Sequence, residues 1–390
     1  MYKIKYMNAI SEQGLGLLEK QGYEVGKNIE DPDGMIIRSA DLHETKFNDS
    51  LLAIGRAGSG VNNIPVDDCT EKGIAVFNSP GANAEAVKEQ IMCTLVLASK
   101  DIIGSIAWVK SIADKGDEIP ELVEKGKKDF AGPELLGKTL GVIGLGAIGA
   151  LVANIALEFG MTVYGYDPFM SVESAWKLSR EVKHAESLDE LYEVADYISI
   201  NVPYTPDTHN MLNAAAFAKM KKGVRIVNES RAEIVDDVDM TAALDNGRVG
   251  KYVTDFPNSV ILKAPNVIAM PHLGACTPES EERCAQMAAQ ELIDYLENGN
   301  ITNSVNMPNA SLSRMGVCRL CVFHRNVPRM LTNILDFISN RNINVEHMIN
   351  KSRGEYAYTM LDLNKKLGPK TAESMRGMDN VLRVRVIYYD

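Results

Sequence analysis

Short apolar runs alternate along the chain with longer segments whose apolar residues recur every three or four positions. This alternation of strands and helices predicts parallel sheets that are covered by helices on both faces, and it occurs in two blocks. The first block has strands at KIKYM, MIIRS, LLAIGR and IAVFNS, and the second at TLGVIGL, MTVYGYD, DYISINV, GVRIVNE, GKYVTDF and NVIAM. A long helical pattern at 83–109 joins the blocks, and a second long helix begins at Thr277 and Pro278.

The chain ends with a third pattern. Asparagines recur between Asn298 and Asn309, which predicts an exposed linker. The residues after it follow the order β-α-β-β-α-β of a ferredoxin-like domain. The predicted fold class is therefore α/β, with two Rossmann-like, doubly wound parallel sheets and a small C-terminal α+β domain. Cys318 and Cys321 lie three positions apart on a predicted strand, so they point to opposite faces and favour core packing over a metal site.

A glycine-rich turn lies between the first strand and the first helix of the second block. Gly144, Gly146 and Gly149 form GxGxxG, which lets the backbone and a helix N-terminus approach a pyrophosphate. Asp167 ends the next strand, 23 positions after the first glycine, where a carboxylate accepts hydrogen bonds from an adenosine ribose. A tight turn that binds no nucleotide is the alternative, but the full context favours NAD, and the acid favours NAD over NADP.

The charge balance limits the partners. The chain has 390 residues, more than one core usually serves, and its net charge of −11 argues against nucleic acid or an anionic membrane as a partner. An anionic small molecule would therefore need a local basic cluster. The six cysteines are too scattered for a disulfide framework, and the first residues lack a signal-peptide pattern, so we expect a cytoplasmic protein without a metal site.

His272 lies in MPHLGACT, where a lone loop histidine would more often pack or cap than catalyse. That motif follows IGRAGSGVNNI, GIAVFNSPGANAEAV, ELLGKTLGVIGLGAIG, YGYDP and KKGVRIVNESR in the same chain. In this order, up to about residue 305, the motifs resemble the D-2-hydroxyacid dehydrogenases, most closely the D-3-phosphoglycerate dehydrogenases. The last 75 residues, 316–390, resemble an ACT domain, a small regulatory module.

The resemblance implies a domain order and an active site in the cleft between two domains. It implies a substrate-binding domain at 1–98 that resumes at 275–305, an NAD-binding domain at 99–274, a linker at 306–315 and an ACT-like domain at 316–390. It implies NAD-dependent oxidation of D-3-phosphoglycerate, the first step of phosphorylated serine biosynthesis, by a homodimer or homotetramer. Another D-2-hydroxyacid dehydrogenase, acting on glycerate, hydroxypyruvate or glyoxylate, and a non-enzymatic NAD(H)-sensing regulator remain alternatives.

The same resemblance assigns roles to individual residues. His272 is the expected general acid and base, and Arg231 the residue that binds the substrate carboxylate and carbonyl. Other expected substrate contacts are Arg38, Arg56, Ser59, Gly60 and Val61. The expected cofactor contacts are Gly144, Gly146, Ala147, Ile148, Gly149, Asp167, Pro203 and Asp255. L-Serine is expected as an effector at His324, Asn326 and Asn344.

Two positions depart from the family pattern. The family pairs its catalytic histidine with a glutamate, but the segment VTDFPNSVILKAP has none before its last proline. We expect no residue to replace it, and Glu229 and Glu279 are the alternatives if another acid has taken over its role. In the C-terminal domain, Arg329 stands after a proline where the ACT turn usually has glycine, and its bulk is expected to crowd the effector pocket.

Overall fold

The computed structural model describes residues 1–389. It divides the chain into two compact units, the first formed by 1–83 together with the chain from Pro278 onward, and the second by 84–277. The first unit begins with a five-stranded parallel sheet of order β2-β1-β3-β4-β5. Its strands and helices are β1 Lys3–Tyr6, α1 Glu12–Lys20, β2 Glu24–Gly26, β3 Gly34–Ile37, β4 Ala53–Arg56, α2 Val66–Glu71 and β5 Ala75–Asn78.

The second unit contains a seven-stranded parallel sheet of order β12-β11-β10-β9-β6-β7-β8. Its helices are α3 Ala84–Ser99, α4 Ile102–Ser111, α5 Ile119–Gly126, α6 Ala147–Glu158, α7 Val172–Lys177, α8 Leu188–Val194, α9 Ala214–Lys219 and α10 Asp237–Asp245. Its strands are β6 Thr139–Ile143, β7 Thr162–Tyr166, β8 Lys183–His184, β9 Tyr197–Ile200, β10 Val224–Asn228, β11 Val249–Thr254 and β12 Val267–Ala269. Short 3-10 turns lie at Ala113–Glu118, Lys127–Phe130, Ala232–Ile234 and Ile261–Lys263.

The chain then returns to the first unit and ends in an antiparallel sheet of order β14-β15-β13-β16. The elements are α11 Pro278–Asn298, β13 Cys318–Arg325, α12 Met330–Ser339, β14 Val345–Arg353, β15 Tyr356–Leu363, α13 Pro369–Arg376 and β16 Val381–Tyr388. The predicted fold class and the β-α-β-β-α-β order are confirmed. The sequence analysis missed β2 and β8 because three and two residues are too few to show a period.

The long helix predicted at 83–109 is wrong as a single element. It breaks after Ser99, and the Asp101 carboxylate accepts the Gly104 N–H at 3.0 Å and so caps a new helix, α4. Helices α3 and α4 meet at 67°. Among the described residues, no single helix is both long and apolar enough for a membrane span; these two pass only when they are taken together.

The boundary expected at residue 98 lies instead at 83. Helix α3 belongs to the second unit because Val87, Ile91 and Leu95 pack in one buried cluster with Leu140 and Val142 of β6. The other boundary of this unit follows Thr277. A helix that looks like a connector in the sequence is therefore a core element of the second unit.

The expected exposed linker is also wrong. Asn306 and Met307 are buried, and the Asn306 side chain accepts the Val76 N–H at 2.9 Å and donates to the Ile74 carbonyl at 2.9 Å. Asn306, one of the asparagines that suggested solvent exposure, thus satisfies backbone groups of β5 and of the residue before it. The segment packs beside β5, where Ser304 forms an isolated antiparallel β-bridge with Phe77.

The C-terminal domain is not a separate unit either. One face of its sheet packs on α12 and α13, where Cys318 is buried, and the other face, which carries Cys321 and Phe323, joins a core cluster with Phe77 and Leu292. The prediction that the two cysteines point into cores on opposite faces is confirmed. Both faces are therefore covered at β13, whereas the edge strand β14 is largely exposed.

Candidate active site

The glycine turn of the second unit has the geometry of a dinucleotide-binding loop. Gly144 has φ +86°, and a Cβ there would lie 2.6 Å from the Asn201 carbonyl oxygen. A Cβ at Gly149 would lie 1.9 Å from the Gly144 carbonyl oxygen, so the third glycine lets the helix pack on the strand. A Cβ at Gly146 would meet no atom within 4 Å, so this glycine leaves open space above the turn.

Helix α6 begins at this open space without a side-chain cap. Its first-turn N–H groups, on Ala147 and Ile148, therefore face the region that a pyrophosphate would occupy. Asp167 accepts the Leu145 N–H at 2.9 Å through one carboxylate oxygen and the Phe169 N–H at 2.9 Å through the other. These two bonds orient the carboxylate beside the glycine turn, where the sequence places the ribose hydroxyls.

Pro203 follows β9 at the same end of the sheet and is exposed. Its carbonyl accepts the Thr208 hydroxyl at 2.8 Å, which fixes the turn that the proline begins. In parallel sheets, ligands bind outside the carboxyl ends of the strands. Pro203 therefore lies where a cofactor contact is expected.

Two buried carboxyl groups lie side by side at the carboxyl ends of β10 and β11. These strands pair in parallel with Asn228 opposite Thr254, so the next residues, Glu229 and Asp255, are neighbours. Their exposed fractions are 7% and 2%. Such groups carry a strong electrostatic influence because little water screens them.

Asp255 has no hydrogen-bond partner on another described residue for either carboxylate oxygen. Burial raises its pKa to about 6, against the lowering effects of its own backbone N–H and of the Arg231 charge. Buried oxygens without a partner on another residue can accept hydrogen bonds from a ligand. This observation agrees with the expected contact between Asp255 and the carboxamide of a nicotinamide ring.

Glu229 is held by helix α3. The Thr94 hydroxyl donates to one oxygen at 2.8 Å and the Gln90 amide to the other at 3.0 Å. Burial raises the pKa of Glu229 to about 7, and the charge of Asp255 adds to the increase. Glu229 therefore anchors the segment that carries Arg231 to α3.

Arg231 and His272 both contact one aromatic ring. Phe256 lies with its ring centroid 4.7 Å from that of His272, and the Arg231 guanidinium lies 5.9 Å from the same ring. Arg231 is exposed and donates to the Ser230 carbonyl at 2.6 Å, while buried Asn228 donates to the Arg231 carbonyl at 2.9 Å. Within the second unit, the two expected catalytic side chains are thus brought to one place.

The expected phosphate contacts lie in the first unit. Ile37 of β3 pairs with Arg56 of β4, so Arg56 and Arg38, the residue after Ile37, lie at the same edge of the sheet. Arg38 forms an ion pair at 2.7 Å with Glu281, in the first turn of α11. A phosphate that binds Arg38 must therefore compete with this carboxylate.

The loop after β4 offers backbone N–H groups at the same edge. The backbone N–H groups of Ser59, Gly60 and Val61 donate to no other described residue, although the Ser59 hydroxyl donates to the Ser79 carbonyl and to Asn83. The Asn78 amide donates to the Ser59 carbonyl at 2.6 Å and so fixes the loop. Unpaired N–H groups in such a loop are suited to a carboxylate ligand.

The three expected serine contacts are not brought together within one chain. His324 is 2% exposed, and its ring nitrogens lie 2.8 Å from the Arg325 carbonyl and 2.8 Å from the Thr359 hydroxyl. Asn326 follows β13, whereas Asn344 precedes β14 at the opposite end of the sheet, since both Val345 and Cys318 pair with Leu363. His324 is therefore buried within this chain with both ring nitrogens in hydrogen-bond contact, and its contact with an effector stays a prediction.

The contacts of three residues at these sites, Glu229, Phe256 and Glu281, were not predicted from the sequence. Glu229 stands between an apolar strand and an arginine, Phe256 follows the expected cofactor aspartate, and Glu281 lies near the start of a predicted helix, where an acid is common. An acid directly after a buried strand was the available signal for Glu229. Nothing in the sequence indicated the contacts of Phe256 and Glu281, because both depend on distant segments.

Comparison with known proteins gives consistent matches. Residues 104–274 match the family described as D-isomer specific 2-hydroxyacid dehydrogenase, NAD binding domain. D-3-phosphoglycerate dehydrogenase of Methanocaldococcus jannaschii is 33% identical over 387 residues, which cover 94% of this chain and 70% of that protein. The protein of the same name from Bacillus subtilis is 33% identical over 326 residues, and the match covers 79% of this chain and 59% of that protein.

Solved structures agree with the fold. NAD⁺-bound 3-phosphoglycerate dehydrogenase of Entamoeba histolytica superposes with a TM-score of 0.61 at 27% identity, over 78% of this chain and 98% of that chain. A glyoxylate reductase from Paecilomyes thermophila superposes with a TM-score of 0.64 at 22% identity, over 78% and 98% of the two chains. The second match supports the fold alone.

Proposed function

The chain belongs to the D-isomer specific 2-hydroxyacid dehydrogenase family, and from that premise we propose that it oxidises D-3-phosphoglycerate to 3-phosphohydroxypyruvate with NAD. The observation that carries the choice of substrate is the edge of the first sheet, where Arg38 and Arg56 lie beside the N–H groups of 59–61. This is a local basic site in a chain of net charge −11. The relatives named above as phosphoglycerate dehydrogenases support it.

The residues present fit the cofactor. Gly146 leaves room for the pyrophosphate above an uncapped helix, Asp167 is oriented for the ribose, and Asp255 has two buried oxygens without partners on other residues. When bound, NAD would supply the acceptor for the hydride that leaves C2 of the substrate. A carboxylate at Asp255 would hold the carboxamide and so orient the ring that receives the hydride.

Protein side chains handle the proton and the substrate charges. His272 would take the hydroxyl proton during oxidation and return it during carbonyl reduction. Arg231 would bind the carboxylate through its planar pair of donors and stabilise the negative charge on the reacting oxygen. Arg38 and Arg56 would bind the phosphate. Phe256 contacts both His272 and Arg231 and would hold the two side chains in place for the reaction.

The test is the appearance of NADH from the purified full chain, NAD and a panel of D-2-hydroxy acids. We expect the highest kcat/KM with D-3-phosphoglycerate and a loss of about 10²- to 10⁴-fold in His272→Asn, since that change removes the general base. Higher kcat/KM with glycerate, or with hydroxypyruvate or glyoxylate in reverse, would favour a different hydroxyacid dehydrogenase. Binding of NADH without turnover of any substrate would favour the regulator.

We propose further that the protein forms a homo-oligomer through α4. This helix has no buried residue, and it exposes apolar side chains on Ile103, Ile106 and Val109, which are 48%, 53% and 42% exposed. A row of exposed apolar side chains on one helix marks an interaction surface. A second copy of the chain is the occupant that requires no other partner.

We also propose that L-serine is an effector and that its binding site lies between two copies of the chain. Because Asn326 and Asn344 lie at opposite ends of the C-terminal sheet, one serine could touch both only where two copies meet. Calorimetry with millimolar L-serine tests this, and Asn326→Ala should abolish the heat. Serine binding that survives in the variant would locate the effector elsewhere.

A further inference from the structure

A basic cavity of about 580 Å³ lies in the first unit, between β16 and the first sheet. Four cationic side chains line it, and Asp49 is the single carboxylate in the lining. These cations are Lys72, Arg376, Arg383 and Arg385. Small-molecule sites commonly have volumes of about 300 to 1,000 Å³, so the cavity has room for a metabolite.

The four cations lack acidic partners. Within residues 1–389, none of them forms an ion pair. By contrast, the buried Arg319 of the same sheet forms two hydrogen bonds with Asp362, at 2.7 and 2.9 Å. The sheet therefore neutralises one buried arginine with a carboxylate and leaves the arginines at this cavity without one.

Backbone carbonyls hold the two inner arginines in place. Arg383 donates to the carbonyls of Leu51 and Asp49, and Arg385 donates to the carbonyls of Tyr295 and Leu296 in the last turns of α11. Carbonyl dipoles orient a guanidinium but do not cancel its charge. Each guanidinium has further N–H donors that these bonds do not use.

The positive charges act on one another. Burial lowers the pKa of Arg383, and the charges of Arg385 and Arg376 lower it further, whereas Tyr295 and Asp49 act in the opposite direction. Arg376 and Lys72 are exposed at the rim, so an anion in solution can reach the positive charges from that side. A pocket lined by cations with low-dielectric walls concentrates anions from solution.

We propose that this cavity binds a small polyanion that carries at least two negative charges on phosphate or carboxylate groups. Guanidinium groups bind both kinds of group through paired N–H donors. The site joins β16 to the 49–52 segment and Lys72, so the bound anion would fasten the C-terminal domain to the first sheet. It is separate from the proposed substrate contacts at Arg38 and Arg56, which do not line the cavity.

The experiment is calorimetric titration of the full chain with two probes, inorganic pyrophosphate and citrate. The variants Arg376→Gln and Lys72→Gln remove rim charges from exposed side chains, so they leave the folded core intact. Lys370→Gln is the matched control because it removes one positive charge from α13, on a residue outside the cavity lining. Arg38→Gln reports on anion binding at the proposed substrate site.

We expect saturable binding of at least one probe, weakened about tenfold or more by each rim variant and unchanged by Lys370→Gln and Arg38→Gln. Pyrophosphate binding alone would identify phosphate as the preferred group, and citrate binding alone would identify carboxylate. The proposal is overturned if neither probe binds at millimolar concentration, if Lys370→Gln weakens binding as much as Arg376→Gln, or if only Arg38→Gln abolishes it. The readout is binding, so it is independent of the proposed enzymatic activity.

Discussion

Glu229 and Asp255 have raised pKa values because they are buried at the ends of strands, and the sequence alone does not reveal these shifts. Both follow buried strands, and burial raises their pKa values to about 7 and about 6. In the unfolded chain a glutamate ionises near pH 4.5, whereas folded Glu229 keeps its proton until about pH 7. Between these pH values the folded state binds more protons, so stability falls as the pH rises.

Glu229→Gln should therefore flatten this pH dependence. The contribution that disappears between about pH 4.5 and 7 is on the order of 2 to 3 kcal/mol. Urea unfolding of wild type and variant across this range measures it. Glu233→Gln, an exposed glutamate four residues away, is the control. Equal slopes in wild type and Glu229→Gln would show that Glu229 is ionised in the folded protein at acidic pH.

The position of Asp167 predicts that the enzyme prefers NAD to NADP. Its carboxylate is fixed by the N–H groups of Leu145 and Phe169, so it would repel a 2′-phosphate and accept ribose hydroxyls. Wild type should have a higher kcat/KM with NAD than with NADP. Asp167→Ala should lower kcat/KM for NAD about 10- to 100-fold and so reduce the ratio of kcat/KM for NAD to that for NADP. Steady-state kinetics with both cofactors checks this. Comparable kcat/KM values in the wild type would contradict it.

At the scale of elements, local sequence patterns were sufficient to predict the sheets but not the contacts between distant segments. The alternation of strands and helices predicted both parallel sheets, because a buried strand and an amphipathic helix each leave a period in the sequence. The break before Asp101 and the packing of Asn306 were missed because each depends on hydrogen bonds of single polar side chains. Polar composition alone cannot separate a solvated asparagine from one that satisfies buried backbone groups.

The C-terminal sheet packs against the rest of the first unit through β13. Strand β13 is buried on both faces from Cys318 to His324, which is unusual for an antiparallel sheet with one solvated side. Arg319 lies on this strand with no exposed surface and pairs with Asp362, which has none either. Its guanidinium also donates to the Asn298 carbonyl at the end of α11. This pair therefore ties the sheet to the preceding helix.

Asp362→Asn should destabilise the first unit strongly. The change leaves a buried guanidinium without its countercharge, which costs about 3 to 5 kcal/mol. Thermal unfolding compared with that of Glu355→Gln, whose carboxylate lies 3.6 Å from Arg325 and is 85% exposed, separates burial from simple loss of charge. A surface pair of this kind contributes roughly 0 to 1 kcal/mol. Similar melting shifts in the two variants would contradict the account.

At the scale of the whole molecule, the sequence predicted two α/β units with a net negative charge, and its resemblance to the family implied a homo-oligomer, but nothing in it indicated which surface joins the copies. Helix α4 was expected as part of a connector, and its exposed apolar row became visible only once the break before it was known. Which face of a helix lacks a partner depends on the packing of everything around it. The proposal that α4 forms the contact between copies therefore rests on the structure.

Ile106→Asp should shift the protein towards monomer. A carboxylate in the centre of an apolar interface carries a desolvation cost that the partner chain does not offset. Light scattering coupled to size exclusion measures the mass, and Ala215→Asp on the exposed start of α9 is the matched control. A wild-type chain that is monomeric at micromolar concentration would rule the interface out.

The central claim, that this dehydrogenase acts on a phosphorylated hydroxy acid, is tested most directly by one ratio. The measurement is kcat/KM for D-3-phosphoglycerate divided by kcat/KM for D-glycerate, in wild type, Arg38→Gln and Arg56→Gln. We predict a ratio well above one in wild type and a fall of about 10- to 100-fold in each variant, because a charge-assisted phosphate contact is lost while the hydroxy acid is still bound. A ratio that stays unchanged in both variants, or a wild type that prefers D-glycerate, would contradict the account.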